Sequence, residues 1–220
     1  MFFREYFLDP SLSTKGEPIG GFKGSLKILQ KLVRMTKPNE IVIVWDGPNG
    51  SQKRRSMNKN YKEGRKPIRL NRNVAALSQD EEMKNRVWQQ TRAISYFNEM
   101  PIIQVMLPEV EADDVISYLT RMSHYDGWQK VIVSNDKDFY QLVDDRVRVY
   151  SPTKKKTYDV DMVYEEFGLY PQNLLTGRTI DGDRSDSIPG VKGVGIKSLV
   201  KEYPESVSYT HLTLPTKRIV

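Results

Sequence analysis

At 220 residues and 38% hydrophobic content, the chain can bury the core of one large domain, or of one domain with a small appendage. It has no cysteine, which excludes disulfides and thiolate metal sites and fits a reducing cytoplasm; no stretch approaches the ~18 apolar residues of a membrane span, and the start MFFREYFLDP is too short and too charged for a signal peptide. The net charge is +6, yet residues 52–72 set nine basic side chains against Glu63 alone, a net of +8 that leaves −2 elsewhere, so a basic stripe on a mildly acidic body points to a polyanion partner.

The first residues read as loop or helix. Phe22, Leu26, Leu29 and Val33 predict a helix over Gly20–Arg34, with Pro38 as its stop. The β-branched run Ile41–Trp45 reads as a buried parallel strand. Residues 47–73 are basic, polar and broken by Gly and Pro, and too long for an ordinary connection. A long helix is predicted over Gln79–Met100, with Met83, Val87, Thr91 and Ile94 on one side. Strands follow at Ile102–Met106 and Lys130–Ser134, and helices at Ala112–Met122 and Lys137–Val143. Arg146–Tyr150 alternates charged and apolar residues as an edge strand would, and Lys154–Tyr158 pairs with it or continues the edge. Helices over Asp161–Phe167 and Gln172–Ile180, a Gly-rich hairpin at Gly190–Gly195 and a helix over Ile196–Tyr203 complete the pattern. Strands alternating with helices predict an α/β fold with a mainly parallel sheet. After Glu205 the sequence SVSYTHLTLPTKRIV loses all periodicity, and residues 206–220 are expected to be foreign to the fold.

Eight acidic residues fall into four clusters: Asp46; Glu111, Asp113 and Asp114; Asp136 and Asp138; Asp183 and Asp186. The first three clusters follow predicted strands, at the carboxyl edge where α/β sheets collect ligands. Asp183 and Asp186 are three apart, so a helical turn would place both on one face. Gathered together, these carboxylates need counter-charge, because close like charges raise one another's pKa. Oxygen-only ligands point to Mg²⁺ or Mn²⁺, and a two-metal site of this kind suits phosphodiester hydrolysis. Taken singly, each has a plainer reading: Asp46 as a turn residue, Asp113 or Asp136 as a helix cap.

The stretch GVKGVGIKS carries Gly190, Gly193 and Gly195, which permit tight turns and close backbone approach to a ligand. The helix start that follows, with Lys192 and Lys197 nearby, would suit a phosphate; the plainer reading is a simple turn between helices, and the place directly after GDRSD strengthens the phosphate reading. His124 and His211 support neither a catalytic triad nor a zinc site.

WDGPN, NYKEGRKP, VEADDVISYL, VSNDKDFYQLV and GDRSDSIPGVKGVGIKS, in this order over about residues 1–205, resemble the 5′-nuclease family. That family comprises flap endonucleases, phage 5′→3′ exonucleases and the 5′-nuclease domain of bacterial DNA polymerase I. The resemblance implies a PIN-like α/β domain over 1–168 with a helical arch at about 47–85. It also implies a helix-hairpin-helix module of the H3TH type over 169–205. It implies cleavage of DNA at 5′ flaps and ends with two Mg²⁺ or Mn²⁺ ions, in replication and repair, in the cytoplasm of a bacterial or phage-infected cell. A DNA polymerase, fused or recruited, would be a partner.

By the same resemblance, the eight carboxylates named above are the metal-site residues, and Lys62 and Arg65 stand near the scissile phosphate. Tyr61 stacks on a base, and Lys53, Arg54 and Arg55 belong to the DNA-binding arch. The hairpin with Gly190, Lys192, Gly193, Gly195 and Lys197 holds the duplex backbone, with K⁺ as a further ligand. One departure stands out. Family members begin with a strand ending in an Asp-Gly motif whose Asp binds metal, and here the chain starts after that point. A weak or inactive nuclease is therefore expected of this 220-residue chain, with an active full-length parent. The alternatives are a DNA-binding module on the same scaffold that does not cut, and a PIN-type ribonuclease.

Overall fold

Residues 1–57, 69–183 and 188–202 are described by a computed structural model. The chain divides into two compact units, Met1–Pro48 with Arg65–Pro108, and Asn49–Gly64 with Glu109–Val220.

The first unit starts with a helix, α1 (Phe2–Leu8), laid on α2 (Gly20–Thr36). Two glycines of α2 make this contact possible. A Cβ at Gly20 would stand 2.0 Å from the Asp9 carbonyl oxygen, and one at Gly24 would stand 2.7 Å from the Glu5 Cβ. A mid-helix glycine costs about 1 kcal/mol against alanine, so the close approach is what these positions gain. Lys37, in the left-handed conformation (φ 46°), ends α2 one residue before Pro38 and donates its N–H to Val33 O.

Strand β1 (Val42–Trp45) pairs in parallel with β2 (Ile103–Met106), Trp45 opposite Met106. Between them in sequence lie α3 (Gln52–Met57), which belongs to the second unit, then the short α4 (Arg72–Ala75) and the long α5 (Gln79–Asn98). A capping box of Ser78 and Glu81 starts α5.

Of the predicted apolar stripe of α5, Ile94 packs against the core, whereas Met83 and Val87 do not. Met83 and Val87 are 60% and 51% exposed, whereas Glu82, Gln89, Ala93 and Phe97 are buried. Gln89 can be buried because its carboxamide accepts from Phe22 N (3.0 Å) and donates to Pro18 O (2.7 Å) and Asn85 Oδ1 (2.8 Å). Phe2, Leu29, Trp45, Ala93 and Phe97 form the core of this unit.

The second unit contains α6 (Ala112–Thr120), β3 (Lys130–Val133), β4 (Val147–Ser151) and β5 (Lys156–Tyr158). It continues with α7 (Val160–Phe167), α8 (Leu174–Asp181), β6 (Gly182–Asp183), β7 (Ile188–Pro189) and α9 (Ile196–Glu202). Strand β4 is parallel to β3 and antiparallel to β5, so it is the middle strand of three and not the edge its charge pattern predicts. Val147, Val149 and Tyr150 are all buried there, with Arg148 the one exposed residue of the strand. Residues 137–142, predicted as a short helix, form a 3-10 turn that buries Phe139 and Tyr140. With Ile132, Val149, Tyr158, Val163, Leu169, Leu174 and Leu199 these aromatics build the second core.

The architecture is α/β as expected. Instead of one mainly parallel sheet, however, the described residues form three small sheets: β1-β2, β3-β4-β5 and β6-β7.

Candidate functional site

In the first unit Asp46 is exposed and directly follows β1. The remaining described acidic motifs belong to the second unit.

Glu111 is the N-cap of α6, with extended backbone (φ −75°, ψ 149°), and is only 5% exposed. Its side chain makes no capping bond to the helix. The carboxylate turns to Arg54 of α3, whose guanidinium forms ion pairs with both Glu111 and Asp114, the latter at 2.7 Å. Gly50 allows the chain before α3 to lie against the start of α6, since a Cβ there would come within 2.8 Å of Val110 O. Asp113 and Asp114 occupy the first turn of α6, where the helix dipole favours negative charge.

Asp136 is an N-cap in this structure, accepting from the Asp138 backbone N–H at 3.0 Å, so the plain reading of this residue holds locally. The turn is fixed by Asn135, whose Oδ1 accepts from Ser151 Oγ (2.9 Å) and from Thr153 N (3.1 Å). Asp138 is exposed and pairs with Arg178 of α8 at 2.8 Å. The same guanidinium nitrogen meets Asp183. Asp183 stands in β6, paired with Ile188, and the expected helical turn toward Asp186 falls on residues outside the described ones. Asp186 itself lies outside the described residues.

Arg178 was not singled out from the sequence. Its signal is that it is the one basic residue within Gln172–Asp181, four positions before the GD pair. Two guanidinium groups thus each draw together two carboxylates, Arg178 doing so across two motifs. Among the described residues no group of three or more acidic or histidine side chains is assembled to hold a metal ion. What exists is pairs of oxygen donors already converging on positive charge, an all-oxygen set that fits a hard divalent ion.

The glycine turn is built on the end of α8. Val191 donates its N–H to Ile180 O (2.7 Å), and a Cβ on Gly190 would sit 2.3 Å from Asp181 O. Gly193 has φ 80° and open space around it. Gly195 approaches Asp181, and its carbonyl accepts from Leu199 N (2.9 Å) in α9, a helix of seven residues. Lys192 and Lys197 are exposed beside the turn.

At the basic segment, Arg54 is committed to carboxylates and Arg55 is exposed. Tyr61, Lys62, Arg65 and the side chain of Lys53 lie outside what is described. The downstream end of the segment is fixed within the first unit. Leu70 and Asn71 donate their N–H groups to Phe7 O at 3.0 and 2.8 Å. The buried Asn71 carboxamide donates to Tyr6 O (3.1 Å) and Asp9 O (2.8 Å) and accepts from Asn73 N and Val74 N. Arg69 grips Glu82 with two nitrogens, at 2.7 and 3.3 Å, and lies over the Phe7 ring. Tyr6 donates to Glu82 O (3.1 Å), and its phenol is pushed up to about 12 by burial and then by the Glu82 charge.

Residues 1–168 match the family described as 5′-3′ exonuclease, N-terminal resolvase-like domain. A 5′-3′ exonuclease of Aquifex aeolicus is 31% identical over 201 residues, covering 90% of this chain and 64% of that protein. DNA polymerase I of Deinococcus radiodurans is 33% identical over 200 residues, covering 90% of this chain and 19% of the polymerase. The fold is similar to that of T5 5′-exonuclease with bound zinc, at TM-score 0.65 and 20% identity over 82% of this chain and 66% of that one. It is also similar to the catalytic core of Rad2 in complex with DNA substrate, at TM-score 0.53 and 18% identity over 90% of this chain and 57% of that one.

Proposed function

The chain belongs to the 5′-3′ exonuclease family, and on that footing we propose that it is part of a structure-specific 5′→3′ exonuclease and flap endonuclease that hydrolyses DNA phosphodiesters. The observation that supports the reading is the pairing of carboxylates around single cations, Glu111 with Asp114 within one motif and Asp138 with Asp183 across two. Asp46, Glu111, Asp113, Asp114, Asp136, Asp138, Asp183 and Asp186 would hold two Mg²⁺ or Mn²⁺ ions. Bound there, such ions would supply activation of a water and charge stabilisation of the departing oxygen.

The residues of the chain do the rest. Lys62 and Arg65 offset the charge that grows on the phosphate. Tyr61 offers a stacking face to an unpaired base. The exposed turn with Lys192 and Lys197 contacts the duplex backbone, and K⁺ would sit at its carbonyls. Such phosphate contacts give affinity without sequence preference and with strong salt dependence, so selectivity rests on shape, a single-stranded 5′ end beside a duplex. The arch at about 47–85 would thread that end, and the module at 169–205 would grip the duplex. A polymerase domain, fused or recruited, is the proposed partner.

The test is a 5′-flap duplex and its RNA-flap equivalent, incubated with the full-length protein with and without Mg²⁺. Metal-dependent product from the DNA flap, slowed by Lys62→Ala, is expected. Preferential cleavage of the RNA flap would transfer the site to a ribonuclease. DNA binding without cleavage in either ion would leave a binding module only.

A further inference from the structure

Arg54 and Arg178 share an arrangement that the proposed chemistry does not use. Each guanidinium joins two carboxylates that the metal-site reading assigns as ligands. In the first pair Glu111 is buried while Asp114 is exposed; in the second, Asp183 is half-buried and Asp138 exposed. A carboxylate oxygen satisfied by an arginine N–H cannot at the same time give its full charge to a divalent ion. A fixed positive charge a few Å from the ion repels it as well. Guanidinium and ion therefore compete for the same oxygens. Arg54 has a second property: it belongs to α3, inside the basic segment, next to the exposed Arg55. While it is tied to the start of α6, the segment lends one cation fewer to a phosphate.

We propose that Arg54 and Arg178 are positioning residues that latch the acidic motifs before metal arrives and yield to the ions, so that loading the metal also turns Arg54 toward the DNA backbone. This rests on the metal-site reading above. The latches keep the paired carboxylates together without an ion, because each guanidinium sets opposite charge between them. They also order the events: metal first, then the full basic surface.

The experiment measures Mn²⁺ binding to the DNA-free protein by the loss of free-ion EPR signal, for the wild type, Arg54→Ala, Arg54→Lys and Arg178→Ala, each checked for native circular dichroism. The alanine variants are expected to bind Mn²⁺ about three- to tenfold more tightly, the scale of removing one partly exposed competing charge. Arg54→Lys, which keeps the charge, should lie close to the wild type. In parallel, the salt dependence of binding to a 5′-flap duplex is read by fluorescence anisotropy, with EDTA and with Ca²⁺. Arg54→Ala should lower the slope of log K against log salt by about one in Ca²⁺ and leave it unchanged in EDTA. Equal or weaker Mn²⁺ binding by folded alanine variants, with the wild type binding normally, overturns the latch and spares the metal site. A reduced slope in EDTA also overturns it, because Arg54 would then reach phosphate without metal. Failure of every chain to bind Mn²⁺ removes the metal site, and the latch with it.

Discussion

Gly190 is closely surrounded by backbone. In Gly190→Ala the new methyl would lie 2.3 Å from Asp181 O, 2.4 Å from its carbonyl carbon and 2.5 Å from Ile180 O. These are backbone atoms at the end of α8, and Ile180 O is held by the N–H of Val191 at 2.7 Å. No rotamer change relieves the overlap, so the turn must lift off the helix end. Overpacking of this kind costs about 1–3 kcal/mol. Losing the Val191 bond adds about 0.5–1.5 kcal/mol, so the variant should be destabilised by about 2–4 kcal/mol in all.

Gly193 provides the internal control. An alanine there meets nothing within 4 Å, and only its φ of 80° is strained, at about 1–2 kcal/mol. Urea denaturation of both variants, at unchanged m-value, measures the difference. Gly190→Ala should show the larger drop in midpoint and should also weaken binding to duplex DNA. Equal midpoints for the two variants would refute the packing of the turn on α8 as the reason for the glycine.

Asp136→Asn keeps a side-chain oxygen to accept from the Asp138 N–H, so the local cap should survive while one negative charge is lost. Turnover of a 5′ flap should fall by about 10²-fold or more, with DNA affinity measured by anisotropy little changed; unchanged turnover would remove this residue from the site. Tyr6 is fully buried, and burial lifts its folded pKa to about 12, above the ordinary 10.0 of a phenol. The folded state therefore holds its proton longer, and stability present below pH 10 should decline as pH rises to about 12, with a shallower decline in Tyr6→Phe by alkaline denaturation. Burial pushes the Glu166 carboxyl up, but hydrogen bonds from Lys154 and Tyr158 outweigh it and hold the group below its ordinary value. Its contribution is present above the unfolded pKa and is lost as pH falls through the lower folded value. Acid unfolding of Glu166→Gln should accordingly be less steep below about pH 4.

The chain order of helices and strands was readable because period and punctuation agree locally. Gly20, Pro38 and the run ending at Trp45 mark boundaries that the fold respects within a residue or two. The errors share one cause, which is that burial depends on partners distant in sequence. Gln89 enters the core because Phe22 N and Pro18 O need its amide, and this leaves Met83 and Val87 facing outward. Arg148 suggested an edge strand, yet β4 is central because β3 and β5 come to it from both sides. The acidic motifs themselves were visible, while their grouping in twos around Arg54 and Arg178 was not, since no local pattern tells an arginine which carboxylates it will meet.

Asn71 has a consequence for how far a disturbance can travel. Its carboxamide uses both donors and two acceptor bonds on backbone groups, so a rotated side chain at this point would leave several buried groups without partners. A nick, an insertion or a tug upstream in the cationic stretch should thus be arrested at this knot, and the long helix that starts at Gln79 should feel it only through the pair of Arg69 with Glu82.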